Sequence, residues 1–471
     1  MVAHRIRSSA AAPLGFDDIR RELGIPGPFP PEVLAQAQQE AGRTFPDHVD
    51  ATDLELVTID PAGSKDLDQA VAIETRGDGW RVSYAIADVA SWVDSGSALD
   101  LEAHRRTQTY YAPDRRVPLH PEVLGEGAAS LLPDGPRPAA LWTIDVDASG
   151  TTTAIDVHRA MVRSRTQLTY QGVQEQLDAG TAPPVLQAFP AIGAALLQAA
   201  RARGAIELGL PEQSVVATPD GSWTVELRAD LPIEQWNAQI SLLTGRAAAS
   251  LMLDAGIGVL RTVPKADEAA FPRLRAAARN LGIAWPDGAG PGDVLASLDT
   301  SQPRHAAFAD LAAELLRGAA YTPFSGAPPA DPGHAGVGAP YAHVTAPLRR
   351  LVDRFGTEIC LAVSHGRPVP GWVTDALPQL PEQMAAGDSL SKKLDRAVID
   401  ATEAFVLTDR VGKVFAASVV ETGASYGTVV LDEPPVRARC DTSNLPLGAS
   451  VHVRCTLADV ATRQVRFERV S

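Results

Sequence analysis

Three aspartates crowd one short loop, T-I-D-P-A-G-S-K-D-L-D-Q from Thr58 to Gln69, between two runs that read as β-strands. Asp60, Asp66 and Asp68 offer only oxygen, and no histidine or cysteine lies near enough in sequence to suggest zinc. Such a set suits a hard cation, magnesium or manganese. The chemistry it points to is metal-assisted phosphoryl transfer. Asp66 and Asp68 are two apart, so extended backbone sends both the same way, and Asp60 folds in across the glycine and serine between them. Two other readings of the loop stand beside this one. The aspartates serve as turn and cap residues, or they form a structural calcium loop, although the spacing lacks the EF-hand glycine.

A second cluster, P-Y-A-H-V-T-A-P-L-R-R-L-V-D-R, runs from Pro340 to Arg354. Arginine presents a planar fork of donors that fits phosphate oxygens, which complements a cation held by carboxylates. The plainer reading pairs Arg349 with Asp353 at helical spacing.

The elements that must position these residues follow from periodicity. L-E-L-V-T-I, A-V-A-I-E and W-R-V-S-Y-A-I-A-D read as three strands, with the aspartate loop between the first two and a G-D-G turn before the third. Asp88 closes the third strand and is a further candidate for the carboxylate group. A long helix covers Ile233 to Met252, where Ile233, Trp236, Ile240, Leu243, Ala247 and Leu251 form a buried stripe and Glu234, Asn237 and Ser241 share a polar face. Residues 323–340 are rich in glycine, proline and alanine and read as a loop. Two short helices, Phe16 to Ile25 and Pro30 to Gly42, precede all of this as either a helix-turn-helix element or a plain hairpin. From Val411 onward five short β-rich runs suggest a small OB-type barrel, a common single-strand binder.

Composition narrows the function classes. At 471 residues the chain is too long for one core, and 45% apolar content is ordinary for globular packing. A formal charge of −15 argues against polyanion binding over the whole surface, so any nucleic-acid site is a local basic groove. Arg105-Arg106, Arg115-Arg116 and Arg349-Arg350 are its candidate linings, with solvated ion pairs as the alternative. Three cysteines without C-x-x-C spacing fit a reducing cytoplasm. No apolar run reads as a membrane span, and the polar start lacks a secretion signal, so a soluble, monomeric, cytoplasmic protein is expected.

Taken in order, V-T-I-D-P-A-G-S-K-D-L-D-Q-A-V, Y-A-I-A-D-V-A-S-W-V, Y-Y-A-P-D-R-R-V-P-L-H-P, S-L-L-P, the I-E-Q-W helix and Y-A-H-V-T-A-P-L-R-R-L-V-D resemble the ribonuclease II and ribonuclease R family of processive exoribonucleases, defined by the RNB domain. The similarity runs from about Leu54 to Asp400. It implies an α+β chain with a short helical region over 1–50, a mixed α/β catalytic domain over 51–405, and an OB-fold RNA-binding barrel over 410–471. It also implies hydrolysis of single-stranded RNA from the 3′ end to nucleoside 5′-monophosphates, with Mg²⁺ or Mn²⁺ as cofactor and no protein partner.

Carried over residue by residue, the resemblance makes Asp60, Asp66 and Asp68 the metal ligands, and Asp68 and Arg349 the catalytic pair. Tyr111 matches an aromatic that stacks on the terminal bases, with a core tyrosine as its other reading; if the segment is extended, Tyr110 points the other way and one of the two is buried. Glu234 matches an acidic helix residue near the terminal nucleotide, with a helix cap as its other reading. Arg350 and Tyr426 complete the expected RNA contacts. Gln69 stands where the family carries a fourth aspartate, and its carbonyl is the expected fourth oxygen ligand, without the charge. Ala85, Ala346 and Leu351 replace a histidine, a serine and a tyrosine of the family pattern. The first 50 residues are too few for the two cold-shock barrels of bacterial relatives, so channel entry is expected to be shaped differently.

Overall fold

The strand Gly79–Ala87 carries Val82, Tyr84 and Ile86 on one side and Ala85 and Ala87 on the other, and all five are buried. A strand apolar on both sides must be covered on both. In the computed structural model, which describes residues 14–267 and 269–470, it is the middle strand of a seven-stranded sheet. The strands are β1 (Val49–Asp50), β2 (Leu56–Asp60), β3 (Gln69–Arg76), β4 (Gly79–Ala87), β5 (Arg137–Val146), β6 (Thr152–Val162) and β7 (Ser164–Thr169). Their order is β1-β6-β5-β4-β3-β2-β7. β3 to β6 form an antiparallel meander, and the β3–β4 turn needs Gly77 in the left-handed region at φ 61°.

One irregularity in this sheet creates the site. β2 pairs with β3 only at Val57 and Val71, and then runs parallel to β7 from Leu56 opposite Ser164 to Asp60 opposite Thr169. The aspartate loop therefore opens where β2 and β3 part.

Helices cover both faces of the sheet. Six matter here: α1 (Asp17–Leu23), α2 (Pro31–Glu40), α3 (Ala98–Arg106), α4 (Pro232–Ala255), α5 (Leu351–Val363) and α6 (Leu380–Leu407). On the Tyr84 face, Ile233, Ile240, Leu243 and Met252 of α4 join Leu351, Phe355 and Ile359 of α5 in one core with Trp142 and Ile86. Each such side chain contributes about 1.5–3 kcal/mol by leaving water. The α4 stripe read from the sequence is the side that enters this core, with Trp236 and Leu251 at its margin. Gly193 is what lets Trp236 approach, since a Cβ there would stand 2.3 Å from the indole. Residues 184–202, passed over in the sequence as a candidate span, are long and apolar enough to be one; here Leu186, Phe189, Ile192 and Leu196 are buried in the same core.

The five tail strands close into a barrel, β8 (Val414–Thr422), β9 (Gly427–Leu431), β10 (Arg437–Cys440), β11 (Ser450–Asp459) and β12 (Gln464–Arg469), in the order β8-β9-β10-β12-β11. Val419, Val429, Val453 and Phe467 fill it, and Ala404 and Leu407 of α6 pack against it. The chain is thus α+β, a mixed α/β body followed by a closed five-stranded barrel.

Two expectations change. α1 and α2 form neither a hairpin nor a helix-turn-helix unit, because they sink into different cores: Phe16 and Ile19 meet Leu394 and Val398 of α6, while Val33 and Ala37 meet Leu99 of α3. The glycine-rich loop begins later than read, since Ala320–Ser325 is a strand in which Pro323 pairs with Val259. A further pair, Gly333–His334 with Ala339–Pro340, interrupts the rest.

Candidate active site

The segment from Thr345 to Arg350 is held on almost every residue. Gln69 Nε2 donates to the Thr345 carbonyl, and the Ala346 N–H donates to Asp353 Oδ2 at 2.8 Å. The Leu348 N–H donates to Asp68 Oδ1 at 2.7 Å, and the Arg349 carbonyl accepts from the Thr109 N–H at 3.1 Å. Helix α5 begins at Leu351, so Asp353 lies in its first turn, where a carboxylate is favoured by the helix dipole and can reach back to the preceding backbone. What these bonds position is the Arg349 side chain. Its Nε stands 3.5 Å from Asp68 Oδ2, and the side chain is 42% exposed.

Arg350 goes the other way. Its Nε and Nη2 grip both oxygens of Asp353 at 2.8 and 2.7 Å, and Asp353 is fully buried. This corrects two expectations: Asp353 pairs with Arg350 rather than Arg349, and the Arg350 fork is spent inside the protein, not held out for RNA.

The carboxylates are less finished. Asp60 ends β2, and its Oδ2 is buried without a hydrogen-bond partner. Burial first, and then the neighbouring Asp66 charge, push its carboxyl up to about 7, against the pull of Arg349. Asp66 is tied to Arg116 Nη1 at 2.7 Å, and Tyr111 donates its hydroxyl to the other oxygen at 3.3 Å. Asp68 is 4% exposed, and burial lifts its carboxyl to about 8 while Arg349 and the Leu348 N–H oppose the shift.

Among the described residues, no group of three or more His, Cys, Asp or Glu side chains stands as a ready metal-binding set. The three-aspartate set expected from the sequence is not assembled, because Arg116 holds Asp66 and the Arg349 segment holds Asp68. Asp60 and Asp66 nonetheless fit a divalent cation. They form a partly buried pair of carboxyl groups with one orphan oxygen, and Mg²⁺ usually binds through one or two carboxylates and keeps several waters.

Gln69 is not free to be a fourth ligand as placed. Its carbonyl accepts from the Tyr84 hydroxyl at 2.8 Å while its amide is on Thr345. Asp88 lies apart from the group, bonded to Arg159 Nε at 2.7 Å and to Ser91. Glu234 caps α4, accepting from the Leu231 N–H at 2.8 Å and pairing with Arg228, as the cap reading has it. Tyr426 sits on the barrel, 42% exposed with the Arg439 guanidinium 4.1 Å from its ring centre.

Tyr110 and Tyr111 divide as alternation requires. Tyr110 is 3% exposed and donates to the Arg106 carbonyl, whereas the Tyr111 ring is 45% exposed above Asp66. Of the three arginine pairs only Arg116 and Arg349 reach the carboxylates; Arg106 is buried against Glu102 and the Phe29 ring, and Arg115 pairs with Asp17. Two tyrosines went unread. Tyr84 bridges Gln69 and Ser241, and Tyr170 accepts from Asn237 Nδ2 at 3.1 Å beside Asp60. A hydroxyl-bearing ring in the apolar strand β4 was the available signal for the first.

Residues 48–358 match the RNB domain, and residues 413–470 match the RNase II-type exonuclease C-terminal S1 domain. The chain belongs to the RNB family. A ribonuclease R of Acidithiobacillus ferrooxidans is 37% identical over 201 residues, covering 40% of this chain and 45% of that protein. The chain spans about half the length of the curated relatives it matches. Among solved structures, Mycoplasma genitalium RNase R in complex with ribose-methylated single-stranded RNA superposes with a TM-score of 0.86 at 19% identity, covering 96% of this chain and 77% of that one. Yeast Ssd1, described as a pseudonuclease, shares the RNB-family fold at a TM-score of 0.70 and 17% identity, over 87% of this chain and 52% of that one.

Proposed function

We propose that this protein is a metal-assisted 3′-to-5′ exoribonuclease that hydrolyses single-stranded RNA to nucleoside 5′-monophosphates. The observation that carries the reading is the exposed Arg349 guanidinium, fixed beside Asp68 and within the field of the orphaned Asp60 carboxylate. That pairing of a cationic fork on a tightly bonded segment with under-compensated acids suits a phosphodiester.

Asp60 and Asp66 are the residues that would hold Mg²⁺ or Mn²⁺. Such an ion, when bound, polarises the phosphate and lowers the pKa of the attacking water. Arg349 clamps the phosphate oxygens as negative charge builds in the transition state. Asp68 keeps that guanidinium aimed, and the exposed Tyr111 ring stacks on a terminal base. The barrel, with Tyr426 and Arg439, grips the strand further from its end.

A 5′-labelled oligoribonucleotide incubated with the protein and Mg²⁺ is expected to yield a descending ladder and free mononucleotides. Intact RNA across a range of Mg²⁺ and Mn²⁺ concentrations would defeat the reading. One observation favours a second function, RNA binding without turnover: Gln69 replaces an acid and the carboxylates are not assembled as a ligand set. Asp68→Asn separates the two, since an enzyme loses cleavage and keeps RNA affinity, while a pure binder changes in neither assay.

A further inference from the structure

Gln69 is the first residue of β3 and pairs directly with Ile86 of β4. Tyr84 lies two residues before Ile86, on the same face, so it is the diagonal cross-strand neighbour of Gln69 and within reach of a long aromatic side chain. Its hydroxyl does reach: it donates to Gln69 Oε1 at 2.8 Å and shares a second 2.8 Å bond with Ser241 Oγ of α4. The other end of the amide donates to the carbonyl of Thr345, four residues before Arg349. Strand β4, helix α4, the end of the aspartate loop and the start of the arginine segment therefore meet in one chain of polar groups, Ser241 to Tyr84 to Gln69 to Thr345.

Tyr84 is 1% exposed, and a buried hydroxyl is costly to leave unpaired. An amide meets this geometry and a carboxylate does not, because only the amide accepts from Tyr84 at one atom and donates to a backbone carbonyl at the other. Turning the Gln69 carbonyl toward a cation would break both bonds and leave the Tyr84 hydroxyl with Ser241 alone.

We propose that Gln69 is a positioning residue and not a metal ligand: with Tyr84 it straps the arginine segment to the aspartate loop, setting where Arg349 meets the phosphate. The inference rests on the exoribonuclease reading for its kinetic arm only. Small displacements of an aligned group cost up to about 10²-fold in rate, so a loosened strap acts on turnover rather than on RNA affinity.

The test uses the full chain with Gln69→Ala, Gln69→Asp and Tyr84→Phe. Expected in Gln69→Ala and Tyr84→Phe is a fall in kcat of about tenfold or more, with KM for RNA and Mn²⁺ affinity by isothermal titration unchanged. The double variant should be no worse than Gln69→Ala, since both act through one connection. Gln69→Asp should lower kcat as well and add no second Mn²⁺. Weakened Mn²⁺ binding in Gln69→Ala, higher activity in Gln69→Asp, or an unchanged kcat in both Gln69→Ala and Tyr84→Phe overturns the strap. A second readout needs no turnover. Hydrogen exchange at the Ala346 and Leu348 amides of the metal-free protein should quicken in Tyr84→Phe and Gln69→Ala, and equal protection in all three proteins overturns the proposal even if the wild type cleaves no RNA.

Discussion

The arginine segment and the carboxylate pair face one another, yet they are completed to different degrees. From Thr345 to Arg350 the backbone and the second arginine are bonded to Gln69, Asp353, Asp68 and Thr109, leaving one guanidinium extended. Asp60 and Asp66 show the reverse: one oxygen has no partner, and the other acid is held by Arg116, itself shared with Glu126. Rigid donors act well where charge develops in a transition state, because they need no reorganisation then. Carboxylates that wait for a cation are better left unsatisfied by the protein. The contrast is thus between a part finished by folding and a part finished by a ligand.

The adjoining arginines break or sharpen that contrast most strongly. Arg349→Ala should lower turnover by about 10²-fold or more and move the thermal midpoint less than Arg350→Ala does, since its side chain is 42% exposed and stands 3.5 Å from its acid. Arg350→Ala should instead cost about 3–5 kcal/mol in chemical denaturation, because it strands the fully buried Asp353. Equal stability losses in the two variants would erase the distinction.

Next in size is the response to pH. The folded carboxyl of Asp60 sits at about 7 and that of Asp68 at about 8, above the ordinary 3.8, so the folded state binds protons more readily than the unfolded chain. Their contribution to stability is full below about pH 4 and is lost as pH rises through 7 and 8. Melting temperatures of metal-free protein should fall between about pH 5 and pH 8, with Asp60→Asn flattening the fall. Added Mg²⁺ should restore stability near pH 8 and do little near pH 5; a Mg²⁺ effect of the same size at both would count against the pair as the cation's seat.

Much of this site is legible in the sequence, because its signals are local. Strand alternation required one of Tyr110 and Tyr111 to be buried and the family resemblance pointed to Tyr111 as the exposed one, helical spacing marked the apolar stripe of α4, and turn residues separated the five barrel strands. The polar face of α4 was read too, and Asn237 and Ser241 do bond the tyrosines next to the aspartate loop. What escaped depends on contacts between distant segments. The Gln69 partner lies 276 positions away, and the Asp66 partner 50 positions away, so neither leaves a spacing to read. The plainer pairing of Arg349 with Asp353 fails because the start of α5 decides which arginine faces Asp353, and helix starts are poorly marked when no Ser, Thr, Asn or Asp caps them.

The smallest expected effect belongs to Tyr111. Replacing it with alanine should weaken RNA binding by about 1–3 kcal/mol, while Tyr111→Phe keeps the stacking surface and should stay close to wild type in a fluorescence-anisotropy titration. A loss of the same size in Tyr111→Phe would move its role from the ring to the hydroxyl on Asp66.

The cation side is tested most directly by titrating Mn²⁺ into the wild type and Asp60→Asn and counting free ion by electron paramagnetic resonance. Saturable uptake by the wild type that disappears in Asp60→Asn, with both proteins folded, is the predicted result. Equal uptake by the two, or none by the wild type in the presence of a bound oligoribonucleotide, would contradict the account.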